Sequence, residues 1–159
     1  MSADATFEDG AERPLHLKAE DADGVPVISA LLQDAVLTMA DMKWEPRARR
    51  LALLVNRFRW EDREAAEKRG RAYERARSLL MIGGVLSVAS NGIDRTDRYT
   101  VLSVLAMTWE PGEDGAGTVT MMLAGDGAIM ARVECLDLTL RDVTRRYRAL
   151  SGHVPKHPD

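Results

Sequence analysis

The sequence predicts an α+β domain, an antiparallel meander of six to eight strands with one helix before it and one after. Three observations lead there. Apolar and polar residues alternate over most of residues 36–135, the period of a half-buried strand. Turn residues separate these runs at Pro46, Gly83-Gly84, Asn91-Gly92 and Gly125-Asp126-Gly127. Helical spacing is clear only towards the two ends, so the strand–helix alternation that builds a parallel sheet is missing.

Residues 1–13 are polar and aperiodic, a composition that cannot offset the entropy of ordering, and they are expected to form a disordered tail. In "PLHLKAED" Leu15 and Leu17 alternate with His16 and Lys18, which reads as a short strand. Asp21 or Asp23 can cap the next element. Val25, Ile28, Leu31, Leu32 and Ala35 recur at helical spacing, so 23–36 reads as an amphipathic helix, with Pro26 tolerated in its first turn. "VLTMADMKW" then reads as a strand, "EPRAR" as a turn, and "RLALLVNRFRW" as the strand that completes a hairpin. In that last run Leu54, Phe58 and Trp60 share one face with Asn56 between them, and Arg57 and Arg59 finish the other. This assigns the Leu54 face to the core and the two arginines to the outside.

Residues 62–71 read as a polar, partly helical connection. Glu64/Lys68 and Glu67/Arg71 support helix at i,i+4, and Gly70 opposes it. Strand 73–82, a two-glycine turn at Gly83-Gly84 and strand 85–90 follow as a hairpin. "YTVLSVLAMTW" is apolar on both faces, which predicts a central strand covered on both sides or one at a dimer interface. "EPGEDGAG" is a loop, and "TVTMMLA" and "AIMARVEC" form a tight hairpin around Gly125-Asp126-Gly127. Adjacent apolar residues at Cys135 and Leu136 mark a β-bulge or a strand break. Leu140, Val143, Tyr147 and Leu150 lie on one helical stripe and predict a closing helix over 140–150, with 151–159 a loose tail. The domain thus spans 14–150. By element order alone, its specific form is a sheet curled into a half-open barrel and capped by the last helix, as in pleckstrin-homology-like folds.

The totals bound the function. A chain of 159 residues fits one domain that needs no metal or disulfide to hold its core. Only eight aromatics are present, so the core is aliphatic, with Met filling gaps. A net charge of −3 argues against a duplex-binding surface. The charge is uneven, however: residues 43–59 carry six bases against the single acid Glu45. Cys135 is the only cysteine, and its apolar strand phase predicts a buried, inert thiol. The absence of a disulfide pair, of a signal-like start and of a long apolar run reads as a cytoplasmic protein that does not engage membrane.

The segments "LHLKAEDADGVPVISALLQDAV", "RLALLVNRFRWED", "RSLLMIGGVLSVASNGIDR", "VLSVLAMTWEPGE" and "GAIMARVECLDLTLRDV" cover most of residues 15–143 in order. In them the chain resembles a small bacterial domain-of-unknown-function family, number 2948 in that series. The resemblance implies a variable polar stretch before the "RSLL" strand, which agrees with the connection over 62–71. It implies no catalytic residue. "IGGV" stands where a more polar turn is the family's expectation.

Few constellations carry chemistry. His16, His153 and His157 are the only histidines, without C-x-x-C or H-E-x-x-H, so neither a metal site nor a cofactor is expected. The glycine-rich loops join strand to strand and offer no helix N-terminus to a phosphate. Three candidate sets remain. Arg47, Arg49, Arg50, Arg57 and Arg59 form a basic hairpin face suited to carboxylate or phosphate. Trp44, Trp60 and Trp109 each precede a glutamate at an expected strand end, either closing the core edge or rimming a ligand mouth. Asp34, Asn56, Glu110 and Glu134 are the polar residues that can face a cleft between sheet and helix. The leading expectation is a non-enzymatic binding or interaction module for a protein or small anionic ligand, able to self-associate through strand 99–109. The alternative is a small metabolite-binding protein or enzyme using the cleft carboxylates.

Overall fold

The computed structural model describes residues 14–143 and 147–148. Among these residues it is an α+β fold with eleven strands and two short α-helices. In chain order the elements are β1 (His16–Ala19), α1 (Val25–Leu32), β2 (Val36–Leu37), β3 (Met42–Glu45), β4 (Arg50–Phe58), α2 (Arg63–Arg69), β5 (Glu74–Ile82), β6 (Val85–Asn91), β7 (Leu102–Pro111), β8 (Gly117–Leu123), β9 (Ala128–Val133), β10 (Leu138–Asp142) and β11 (Tyr147–Arg148). All strand pairs are antiparallel, and the path runs β1-β10-β5-β4-β2-β7-β8-β9-β6, with β3 on β4 and β11 on β5.

The glycine pair does not close a hairpin. β5 pairs with β4 and β10, while β6 pairs with β9. Gly83 donates to Asp137 O and Glu134 donates to Gly84 O, so β5–β6 and β9–β10 run side by side through one corner. Gly84 adopts φ +66, and a Cβ on Gly83 would fall 2.6 Å from Asp137 Oδ2. Glycine supplies both the left-handed turn and the close approach. Here tertiary pairing, not local turn preference, decides what the glycines do. The corner folds the sheet over one hydrophobic cluster that draws on both wings, including Leu51, Leu53, Leu80, Val104, Leu123 and Leu138.

Helix α1 lies against β7 and reaches β4 and β1. It buries Val25, Ile28 and Leu32 in that cluster, as its spacing predicts. Asp21 caps the 3-10 turn that leads into it, accepting from Gly24 N at 3.2 Å. At its other end Asp34 takes φ 65, and Asp34 N and Val104 N exchange bonds with Val104 O and Ala35 O.

Several expectations are corrected. The strand expected over 36–44 is interrupted by a 3-10 turn at Met39–Asp41, where Thr38 and Asp41 form a reciprocal cap. The strand count is eleven rather than six to eight. The closing helix over 140–150 is absent from the described residues there: Leu138–Asp142 and Tyr147–Arg148 are strands, so the pleckstrin-homology-like version loses its capping helix. Strand 99–109 begins only at Leu102, and Tyr99 and Val101 are exposed. A bulge between Val104 and Ala106 shifts its phase, which keeps Val104 and Met107 in the core and turns Leu105 out. Cys135 is exposed, because β9 ends at Val133 and the thiol sits at the corner against Gly84. The expected tails, 1–13 and 151–159, lie outside the described residues.

Candidate functional site

The largest correction concerns β4. Its core face is Leu51, Leu53, Val55 and Arg57, and its outer face is Ala52, Leu54, Asn56 and Phe58. Arg57 and Arg59 are therefore not an open face but among the most buried side chains, at 0% and 1% exposure. The period of two holds along β4, but the face that ends in the arginines is the inner one. Arginine can end a core face only where partners meet it. Arg57 Nε contacts Ser78 Oγ at 3.0 Å, and its Nη1 and Nη2 grip Glu61 at 2.8 and 2.7 Å. Nη2 also donates to Asp142 Oδ1 at 3.0 Å. Asp142 in turn accepts from Ser78 Oγ at 2.6 Å and from Leu15 N at 2.9 Å. Burial alone lowers the Arg57 pKa, but Glu61 and Asp142 outweigh it and hold the pKa above its usual value. Arg59 donates to Glu74 and lies 3.6 Å from Asp62. Arg71 clamps both Asp62 oxygens at 2.6 Å.

This cluster ties β4, β5, β10 and the start of α2 together, and its side chains are largely turned on one another. Burial would push the Asp62 carboxyl up, yet the Arg71 hydrogen bonds and the charges of Arg59 and Arg71 prevail and hold it below the usual carboxylate range. A depressed folded pKa gives stability that is present above the unfolded value of about 3.9 and is lost as pH falls through the folded one. Urea unfolding at about pH 6 and about pH 3 should thus show a smaller acid loss for Asp62→Asn than for the wild-type chain. Equal losses would mean that Asp62 does not contribute to acid sensitivity.

The surface that the flip of β4 leaves outside is basic for a different reason. Register places His16, Arg141, Leu79 and Leu54 in one row across β1, β10, β5 and β4. Lys18, Thr139, Met81, Ala52 and Lys43 form the next row. Arg77 faces Asn56, which faces Val36. Five strands span about 19 Å at 4.8 Å spacing. His16, Lys18, Lys43, Arg77 and Arg141 are exposed, while Leu54, Leu79 and Met81 are half-buried between them. Lys18 has Glu20 at 4.0 Å, whereas Lys43, Arg77 and Arg141 make no ion pair with a described residue. Asn56, expected on the core face between Leu54 and Phe58, lies here instead and accepts from Arg75 Nη1 at 3.2 Å. Beside it a pocket of about 380 Å³ opens between β2 and β4, lined by Val36, Thr38, Asp41, Leu54, Arg77 and Val101 among others.

The other anticipated residues are scattered. Arg47 is exposed in the β3–β4 turn, Arg49 bonds Glu134, and Arg50 holds Glu45 at 2.9 Å. That bond, the chief cause, keeps the Glu45 carboxyl below its usual range. The tryptophans do not form one rim. Trp44 pairs opposite Leu51 in β3, Trp60 Nε1 donates to Gln33 O at 2.9 Å, and Trp109 lines a groove of about 530 Å³ between α1 and β7. The carboxylates do not converge either. Asp34 ends α1, Glu110 lies exposed near the β7–β8 turn, and Glu134 is at the corner with Arg49. None of the three lines the α1–β7 groove, whose polar side chains are Ser29, Gln33, Thr108 and the Trp109 indole, with no acid or base among them. Ser29 Oγ already accepts from Met107 N at 2.9 Å. Among the described residues no group of His, Cys, Asp and Glu could hold a metal ion, and no helix is long and apolar enough to cross a membrane.

Sequence reasoning missed the Ser78–Asp142–Glu61 surround of Arg57 because it joins residues up to 85 positions apart. It also missed the basic outer face, although a signal was present. "ERARSLLMI" places Arg75, Arg77, Leu79 and Met81 on one strand face. Comparison with curated proteins gives no match, and comparison with solved structures gives none. The family model described as "Protein of unknown function (DUF2948)" matches residues 15–157, nearly the whole chain, and the protein belongs to that family.

Proposed function

We propose that this is a non-enzymatic binding module, acting in the cytoplasm, whose outer sheet face takes an acidic segment of a protein partner. The observation that carries the reading is the set of cations on β1, β3, β5 and β10, of which Arg77 and Arg141 lack a counter-charge among the described residues, while Lys43 has only the charge of Glu45 nearby. Arg77 and Arg141 occupy diagonal positions on paired strands, about 7–8 Å apart at the backbone. Like charges so placed repel unless an anion comes between them. Guanidinium forks match carboxylates bidentately, which favours glutamate and aspartate side chains. The half-buried Leu54 and Leu79 and the adjoining pocket suit an apolar side chain within that segment. A nucleic acid is the weaker candidate, because the rows between the cations hold aliphatic rather than stacking side chains and the chain's net charge is −3.

The test is fluorescence anisotropy with a labelled peptide of alternating Glu and Leu, and a Lys-and-Leu peptide as control. The acidic peptide should bind, more weakly as salt rises. The double variant Arg77→Glu, Arg141→Glu should weaken binding by at least about tenfold, or about 1.4 kcal/mol. Both side chains are exposed, so folding, checked by circular dichroism, should survive. Equal affinity for the double variant, or preference for the basic peptide, sinks the reading. A second reading, a small apolar metabolite in the α1–β7 groove, is favoured by that groove's size and uncharged lining. Stabilisation by a neutral ligand in a thermal-shift screen would support it.

A further inference from the structure

The outer sheet face and the segment that precedes β1 carry opposite charge. Arg77 and Arg141 lack a counter-charge among the described residues, and Lys18 and Lys43, each with one glutamate nearby, stand in the next row. Asp41, the acid that lines the adjoining pocket with Arg77, already accepts from Thr38 N and Oγ. Residues 1–13 hold Asp4, Glu8, Asp9 and Glu12 against the single base Arg13. The chain enters the sheet beside this face. His16 lies opposite Arg141, and Leu15 N donates to Asp142 Oδ2 while Asp142 N donates to Leu15 O, each at 2.9 Å. Exposed Pro14 therefore stands on the His16 side of the sheet, level with Val143 and Arg77, where Val143 N donates to Arg77 O at 2.9 Å. Arg77 is two strand spacings from it, about 10 Å.

We propose that residues 1–13 fold back over this face in cis, as an acidic occupant that an acidic partner must displace. The inference rests on the acidic-segment reading and adds its regulation. Length allows it. The stretch from Phe7 to Pro14, extended, reaches about 23 Å. The far side of the face is four strand spacings from β1, about 19 Å. Glu8, Asp9 and Glu12 thus pass over the two arginines, and Phe7, the only aromatic of the segment, reaches the pocket between β2 and β4. Tethering favours this occupant over a free peptide of the same charge, because a short linked segment acts at an effective concentration on the order of millimolar.

The full chain tests this with the labelled Glu-and-Leu peptide. Asp4→Ser, Glu8→Gln, Asp9→Ser and Glu12→Gln together remove the acids of the segment and leave every described residue in place. Peptide affinity should rise at least about fivefold at low salt, and the gain should shrink as salt rises. If this variant binds the peptide no better than the wild-type chain, the acidic-segment reading stands and the inference falls. If neither chain binds it, that reading fails and takes the inference with it. Contact is read directly by zero-length carbodiimide cross-linking mapped by mass spectrometry. In the wild-type chain Asp4, Glu8 or Asp9 should join Lys43, on the far side of the face, and not Lys68, which is exposed on α2. Arg77→Glu with Arg141→Glu should abolish that join. No join to Lys43 overturns the inference. So does a join found only between isotope-labelled and unlabelled chains in a mixture, which would place the segment on a second copy.

Discussion

Replacing Arg57 with leucine should destabilise the protein by about 3–5 kcal/mol, the range for removing one partner of a buried ion pair. Urea unfolding at neutral pH measures it. The volume is largely kept, so the loss does not come mainly from a cavity. It comes from what is left behind. Asp142 has a side-chain exposure of 2% and would keep Ser78 Oγ and Leu15 N but lose the one cation it meets among the described residues. Glu61, at 20%, would lose both guanidinium bonds. Arg57→Lys should recover little, because a single ammonium cannot grip Glu61 with two nitrogens while also reaching Ser78 and Asp142. Arg77→Leu on the outer face sets the scale for an exposed arginine and should fall within about 0.5 kcal/mol of wild type. A similar small effect at Arg57 would show that the cluster does not brace the fold.

The same residue marks what could be read from the sequence and what could not. The element periods were largely legible. β4, β5 and the β8–β9 hairpin lie where alternation places them, and the 62–71 connection contains the helix that its i,i+4 pairs support. A period says which residues share a face, not which face is inside. On β4 the two arginines argued for solvent, and the deciding contacts came from Glu61, Ser78 and Asp142 on other segments. Gly83-Gly84 failed for the same reason. The pair is compatible with a hairpin and with a corner, and only the β9–β10 strand running alongside selects the corner. The stripe Leu140, Val143, Tyr147 fits a helix by spacing, yet Leu140 is claimed by Leu17 and Leu80 on the neighbouring strands. The basic outer face was half legible. Alternation groups Arg75 with Arg77, but Arg141, Lys18 and Lys43 join them only through register.

Phe58 carries the last expectation. It lies on the outer face of β4 yet is fully buried, and the rings of Trp60 and Tyr73 pack against it. The Trp60 ring meets it edge-on with centroids 4.7 Å apart, and Tyr73 lies tilted at 5.8 Å. Helix α2, which lies in sequence between Trp60 and Tyr73, has seven residues and buries only Ala66. A helix shorter than about 12–15 residues does not persist alone in water, so α2 depends on what fastens its two ends. Two fasteners are available, the ring cluster on Phe58 and the Asp62–Arg71 bridge. Phe58→Ala should cost about 3–5 kcal/mol by cavity formation and lost contact. Native-state hydrogen exchange tells the fasteners apart. If the rings hold α2, the amides that bond within Arg63–Arg69 should lose protection beyond the global change. If their protection falls only in step with β4 and β5, the ionic bridge is what keeps the helix in place, and Asp62→Asn rather than Phe58→Ala should release it.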